Sequence, residues 1–244
     1  MTRKNAPAIA GLKAIFFDLD DTLFDRRSSQ RLSLKMIVKD FHYLFGEATE
    51  ETLLRCFLDA DAEAMQEFSD GASMAMSRLL RSRRFLGKLG IDERFAPDIT
   101  ASYLRHYPMC QTPVLGATSL IMGVAPRFSL GIISNGSPEV QYQKLERLGL
   151  KQLFQCIVLS EELGIRKPDR RIFTHAAAEI GRDPDECLHV GDNYEADVVG
   201  SRAAGLKSCW FNRDRVQPPQ SGIKPDIEIH ELSELPELLD ATGC

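Results

Sequence analysis

The sequence predicts an α/β fold: an open parallel sheet with an all-helical domain inserted into it. Three observations carry this expectation. Downstream of residue 98, short apolar runs alternate with amphipathic helical stretches, the pattern of βαβ units. Near the start, the apolar run Ala14-Ile15-Phe16-Phe17 ends abruptly in Asp18-Leu19-Asp20-Asp21-Thr22, as a buried strand does where it meets solvent. Between these regions, over residues 25–107, strand runs vanish and apolar residues recur at spacings of three and four, as in Leu53, Leu54, Phe57 and Leu58. At 244 residues the chain exceeds the usual size of one domain. The expected division is a core of residues 1–24 and 108–244 and a helical cap of residues 25–107.

Taken in order, the strands after Ala14 to Phe17 are Ser129-Leu130-Gly131-Ile132-Ile133, Cys156-Ile157-Val158-Leu159, Cys187-Leu188-His189-Val190 and Ser208-Cys209-Trp210-Phe211. These make about five parallel strands, followed by an edge strand at residues 226–229 and a short helix at 233–239. Ser137-Pro138-Glu139 reads as an N-cap, a first-turn proline and an acid matched to the helix dipole, and Gly149 stops that helix. Asp183-Pro184 and Gly205 repeat the logic. Residues 217–222, rich in proline, form a loop, and no internal repeat is visible.

Composition narrows the function. Thirty Lys and Arg against 35 Asp and Glu give a net charge of -5, and no basic tract tracks a phosphate backbone, so a nucleic acid polymer is not the expected partner. The longest apolar runs are strand-sized, and residues 1–13 lack the apolar core of a signal peptide, so a membrane is not expected either; this opening reads as a short frayed tail. The six cysteines, at positions 56, 110, 156, 187, 209 and 244, are scattered with no C-x-x-C pair, which fits a reducing cytoplasm. None of the five histidines has a metal-ligand spacing, and His189 on its strand reads as a hydrogen-bonded core residue.

Four strand ends carry polar groups suited to one phosphoryl group. Asp18 and Asp20 crowd like charges together, as sites that hold a cation or do chemistry require. Ser134-Asn135-Gly136 offers a hydroxyl and backbone N–H groups at a helix entrance, suited to phosphate oxygens. Lys167, in Arg166-Lys167-Pro168-Asp169, places an ammonium before a helix, where it could neutralise negative charge. Gly191-Asp192-Asn193-Tyr194-Glu195-Ala196-Asp197 adds two carboxylates at a strand-to-helix junction. With Asp18 and Asp20, Asp192 forms one wall of an oxygen-rich site of the kind Mg²⁺ prefers.

Together these motifs resemble the haloacid dehalogenase (HAD) superfamily of phosphohydrolases, and the helical insertion is similar to that of its C1-capped branch. The resemblance spans nearly the whole chain outside the cap and implies a Rossmann-like core. It also implies roles. Asp18 maps onto the nucleophile and Asp20 onto the general acid/base. The metal set maps onto Asp18, the Asp20 carbonyl and Asp192, with Asp197 either a ligand through water or a supporting group behind them. Phosphate binding maps onto Ser134, Asn135 and Lys167. A halide leaves without a proton and an alkoxide does not, so the presence of Asp20 points to a phosphatase.

Pro113-Val114-Leu115-Gly116-Ala117, Leu145-Glu146-Arg147-Leu148-Gly149-Leu150, Ile165 to Asp169 and Ser208 to Asn212 look similar to bacterial pyrimidine 5′-nucleotidases. The expected substrate is therefore a small soluble phosphate ester such as a pyrimidine nucleoside monophosphate. A sugar-phosphate phosphatase, a phosphomutase, and a non-catalytic phosphate-binding or signalling protein are the alternatives. Phe24, the aromatics of residues 41–45, Met74, Met76 and the arginines of residues 78–84 are the groups available to meet a base or sugar. By burial preference, the aromatic and Met residues read as core and the arginines as a solvated face. Trp210 reads as core at a strand end. The oligomeric state is not legible.

Overall fold

The computed structural model describes residues 9, 11–69, 74–110, 112–219 and 222–240. Residues 1–8 and 10 of the expected N-terminal tail lie outside the described residues, as do Gln220 and Ser221 of the expected loop, the Met74 side chain and Cys244. The rest of that tail is not frayed, since Ile9 and Leu12 are buried and the Lys13 N–H donates to the Glu186 carbonyl. The chain divides into two compact units: Met1–Asp25 with Thr112–Cys244, and Arg26–Gln111.

The first unit contains a six-stranded, wholly parallel sheet: β1 (Ala14–Phe17), β2 (Ser129–Ser134), β3 (Cys156–Leu159), β4 (Cys187–Gly191), β5 (Lys207–Phe211) and β6 (Ile227–Ile229). Their order in the sheet is β3-β2-β1-β4-β5-β6, so β6 is an edge as expected and β1 lies between β2 and β4. Phe17 registers with Ile132 on one side and Val190 on the other. The central strands are apolar on both faces because helices cover both faces of a parallel sheet. On one side Ala14, Phe16, Ile133, Val158, Ile172, Phe173 and Ala176 form one buried cluster. Gly131 is required there, since a Cβ would lie 2.6 Å from the Phe16 ring.

Helix signals hold with one change. Pro138–Arg147 starts after Ser137 with proline in its first turn, although Ser137 makes no side-chain cap bond, and Gly149 takes the left-handed conformation at φ +68°. Asp183-Pro184 does form a capping box with Glu186, but it opens a single 3₁₀ turn, Pro184–Glu186, because the backbone runs straight on into β4. The long helix preceding that turn, Arg170–Glu179, is capped by Asp169, whose side chain accepts from the Arg171 N–H.

Among its described residues the second unit is built from helices, Arg26–Asp40, His42–Phe45, Glu50–Ser69, Met74–Lys88 and Ala96–His106, with no strand. Leu53, Phe57, Ala60 and Ala64 form the buried stripe of the Glu50–Ser69 helix, and Phe57 packs edge-on against Phe85 at 5.4 Å. Arg81 corrects the expectation of a solvated basic face. It is only 4% exposed, stacks 3.6 Å over the Tyr103 ring and pairs with Asp61, which also binds Arg26 and Gln30. Tyr43 and Met76, read as core, are exposed, and Phe24 is buried within the first unit. No helix among the described residues is long and apolar enough to cross a membrane.

Candidate active site

The sheet order brings the predicted residues together. Asp18 continues β1, its N–H donating to the Val190 carbonyl of β4 at 2.9 Å. The chain then turns tightly: the Leu23 and Phe24 N–H groups both donate to the Leu19 carbonyl, and Asp21 adopts φ +58°, a left-handed conformation that Asp tolerates better than most residues. This turn directs the buried Thr22 hydroxyl at the loop after β4. There it accepts from the Asp192 N–H at 3.1 Å and donates to Asp192 Oδ1 at 3.2 Å.

Lys167 is the hub. It is 4% exposed, and its Nζ donates to Asp18 Oδ1 at 2.5 Å and to Asp197 Oδ1 at 2.7 Å. Its backbone is fixed by Asn135, whose amide donates to the Lys167 carbonyl at 3.0 Å and accepts from the Lys167 N–H at 2.9 Å. Asn135 therefore presents its side chain to the lysine loop, leaving the Ser134 hydroxyl as the polar side chain at the end of β2.

Asp197, on the one-turn π-helix Tyr194–Val199, is wholly buried. Besides Lys167 it receives the Asn193 N–H at 3.0 Å and the Nε2–H of buried His189 at 2.9 Å. His189 is thus the hydrogen-bonded strand residue expected. Gly191 is required beneath Asp197, because a Cβ there would sit 2.2 Å from the Asp197 carboxyl carbon. Trp210 is buried as expected and donates from Nε1 to the Asp192 carbonyl at 2.9 Å.

One ligand oxygen from each of Asp18, Asp192 and Asp197 lies within 4.8 Å of the others. Burial raises the Asp18 carboxyl to about 7; Lys167 opposes this, while the charges of Asp197 and Asp20 add to it. Burial also lifts Asp192 well above its ordinary value, reinforced by Asp18 and Asp197. Burial alone would raise Asp197 too, yet Lys167 and His189 outweigh it and hold that carboxyl below the usual range. The Lys167 ammonium is likewise kept charged by Asp18 and Asp197 against its own desolvation. Once Asp18 and Asp192 lose their protons, three carboxylates face one ammonium and leave negative charge uncompensated, and such an all-oxygen donor set fits a hard divalent cation.

Two residues of the site escaped sequence reasoning. Lys144 and Gln141, on the Pro138–Arg147 helix, both reach Asp20: Lys144 Nζ donates to Oδ1 at 2.6 Å and Gln141 Nε2 to Oδ2 at 2.8 Å. The available signal was a lysine at i+4 from Val140, on the face that also carries Leu145, where a charge needs a partner.

Known proteins share this sequence pattern and fold. Residues 12–205 match the haloacid dehalogenase-like hydrolase family. The pyrimidine 5′-nucleotidase YjjG of Escherichia coli is 33% identical over 230 residues, 92% of this chain and 96% of its own. A glyceraldehyde 3-phosphate phosphatase of Methanopyrus kandleri is 28% identical, covering 94% and 96%. The magnesium-bound crystal structure of the HAD-hydrolase YfnB of Bacillus subtilis shares the fold with a TM-score of 0.83 at 26% identity, over 94% of this chain and 99% of that one. The chain belongs to the haloacid dehalogenase-like hydrolase family, among its phosphatases.

Proposed function

We propose that this enzyme is a Mg²⁺-dependent phosphomonoesterase working through a phosphoryl group carried on Asp18. The observation that most supports it is buried Lys167 bridging buried Asp18 and Asp197, with half-buried Asp192 completing a cluster of three carboxylates. A carboxylate oxygen of Asp18 attacks phosphorus as the ester P–O bond breaks, and the Asp20 carboxyl gives its proton to the departing alkoxide. Asp20, now a base, takes a proton from water; the hydroxide attacks phosphorus, and the bond to Asp18 breaks to release phosphate. Lys167, the Ser134 hydroxyl and the Asn135 backbone N–H hold the phosphoryl oxygens, while the Asn135 side chain holds Lys167 in place. A divalent cation bound by Asp18, Asp192 and the Asp20 carbonyl, with Asp197 in support, supplies positive charge to those oxygens.

For the substrate we favour a pyrimidine nucleoside 5′-monophosphate, on the likeness to YjjG across almost the full length of both chains. A small sugar or triose phosphate is the second reading, on the likeness to the glyceraldehyde 3-phosphate phosphatase. The helical unit Arg26–Gln111, inserted directly after the Asp18 loop, serves as a cap that selects the leaving group. A reducing cytoplasm is the proposed location, supported by free cysteines throughout the described residues, with burial pushing the Cys156 and Cys187 thiols up to about 12.

Phosphate release from nucleoside monophosphates and sugar phosphates, with Mg²⁺ and with EDTA and with Asp18→Asn as the blank, tests the reading. Metal-dependent turnover favouring UMP, dUMP or TMP supports it. Preference for a sugar phosphate discards the nucleotide, and absence of release from every ester discards the enzyme activity proposed.

A further inference from the structure

We propose that Lys144 and Gln141 form a two-point clamp that fixes the direction of the Asp20 carboxylate for proton transfer at the leaving group. The proposal rests on the reading of Asp20 as general acid/base. Both residues are only 2% exposed, although a lysine and a glutamine on a helix at the rim of a sheet could each reach water. Burying an ammonium is unfavourable unless it is paired, so its inward direction needs a partner, and that partner is Asp20. Lys144 Nζ lies 2.6 Å from Asp20 Oδ1 and 4.6 Å from the centre of the Phe24 ring, whose face offers a cation a second favourable contact.

Gln141 sits one helical turn before Lys144, so the two project from the same face and each takes a different oxygen of the same carboxylate. One donor on each oxygen fixes the carboxylate plane, which a single contact leaves free to turn. The Gln141 amide also donates to Ser134 Oγ at 2.9 Å, tying the acid/base to the hydroxyl at the end of β2. Proton donor and phosphate-binding group are thereby held at one separation. Gly136 serves the clamp too: a Cβ at that position would lie 2.6 Å from Gln141 Nε2, the far end of a movable side chain, and would push it off Asp20.

These are positioning residues, and their signature is dependence on the leaving group. An alkoxide needs the Asp20 proton, whereas p-nitrophenolate leaves without it. Because kcat/KM reports events up to phosphoryl transfer, Lys144→Met and Gln141→Leu should each lower kcat/KM for UMP by about 10–100-fold, the scale of a misplaced catalytic group, and for p-nitrophenyl phosphate by less than about threefold. Gln141→Leu changes no charge, so its effect reads orientation, and Gly136→Ala reaches the same amide from the opposite side if either other variant fails to fold. Asp20→Asn is run beside them. Selective loss in Asp20→Asn together with the clamp variants is the expected result. Selective loss in Asp20→Asn with the ester ratio unchanged in the folded clamp variants overturns the clamp and leaves the acid/base intact. Equal loss on both esters in Asp20→Asn overturns the acid/base reading and the clamp with it.

Discussion

Replacing Asp18 with Asn should make the metal-free protein more stable at neutral pH. Asp18 is buried beside Asp192 and Asp197, and its carboxyl is raised from 3.8 to about 7 even with Lys167 hydrogen-bonded to it. A raised acid means that the folded state holds the proton more tightly than the unfolded chain. Below pH 3.8 Asp18 is protonated in both states and costs nothing; between about 4 and 7 the unfolded chain gives up the proton first, and above 7 the full penalty of an ionised Asp18 is present. The rise from 3.8 to about 7 corresponds to about 4 kcal/mol as a ceiling, which relaxation and water entry reduce to about 2 kcal/mol. At about 2–4 °C per kcal/mol for a protein of this size, Tm should rise by about 4–8 °C in Asp18→Asn at pH 8 in EDTA. The gain should shrink steadily toward pH 5. Thermal denaturation followed by circular dichroism across that range provides the assay. A variant no more stable than the parent at pH 8, or a gain that grows on acidification, refutes the electrostatic account of the cluster.

Other consequences are equally exposed. Saturating Mg²⁺ should raise the Tm of the parent and not that of Asp18→Asn, since a ligand stabilises only the state that binds it; equal shifts would mean the ion binds elsewhere. Because the raised carboxyls of Asp18 and Asp192 must lose protons to hold a cation, Mg²⁺ affinity measured by calorimetry should weaken as pH falls below about 7, with proton release on binding. Thr22→Val strips Asp192 of two hydrogen bonds and should weaken Mg²⁺ binding about 10–100-fold while barely changing far-ultraviolet dichroism. Gly191→Ala forces a Cβ against the Asp197 carboxyl and should cost about 1–3 kcal/mol in denaturant unfolding.

The first five strands were legible because each is a short apolar run covered on both faces, and the Asp18 cluster because charge at the end of such a run has no structural motive. The gathering of Ser134, Lys167 and Asp192 around Asp18 depends on β1 lying between β2 and β4, a pairing that the order of motifs along the chain does not specify. Lys144, Gln141 and Arg81 were hidden for a different reason. Long polar side chains on amphipathic helices read as solvated, and only long-range partners, Asp20 at a separation of 124 residues for Lys144 and Asp61 for Arg81, turn them inward. Thr22 stood within the acidic motif, yet its task, strapping the β1 loop to the β4 loop, is set by the same pairing across the sheet.

The most direct test of the central claim is peptide mass mapping after acid quench during turnover of a phosphate ester with Mg²⁺. The account predicts one phosphoryl group on the peptide containing Asp18, absent in Asp18→Asn, which should also release no phosphate. Phosphate release by Asp18→Asn, or turnover with the phosphoryl group carried on another residue, would contradict it.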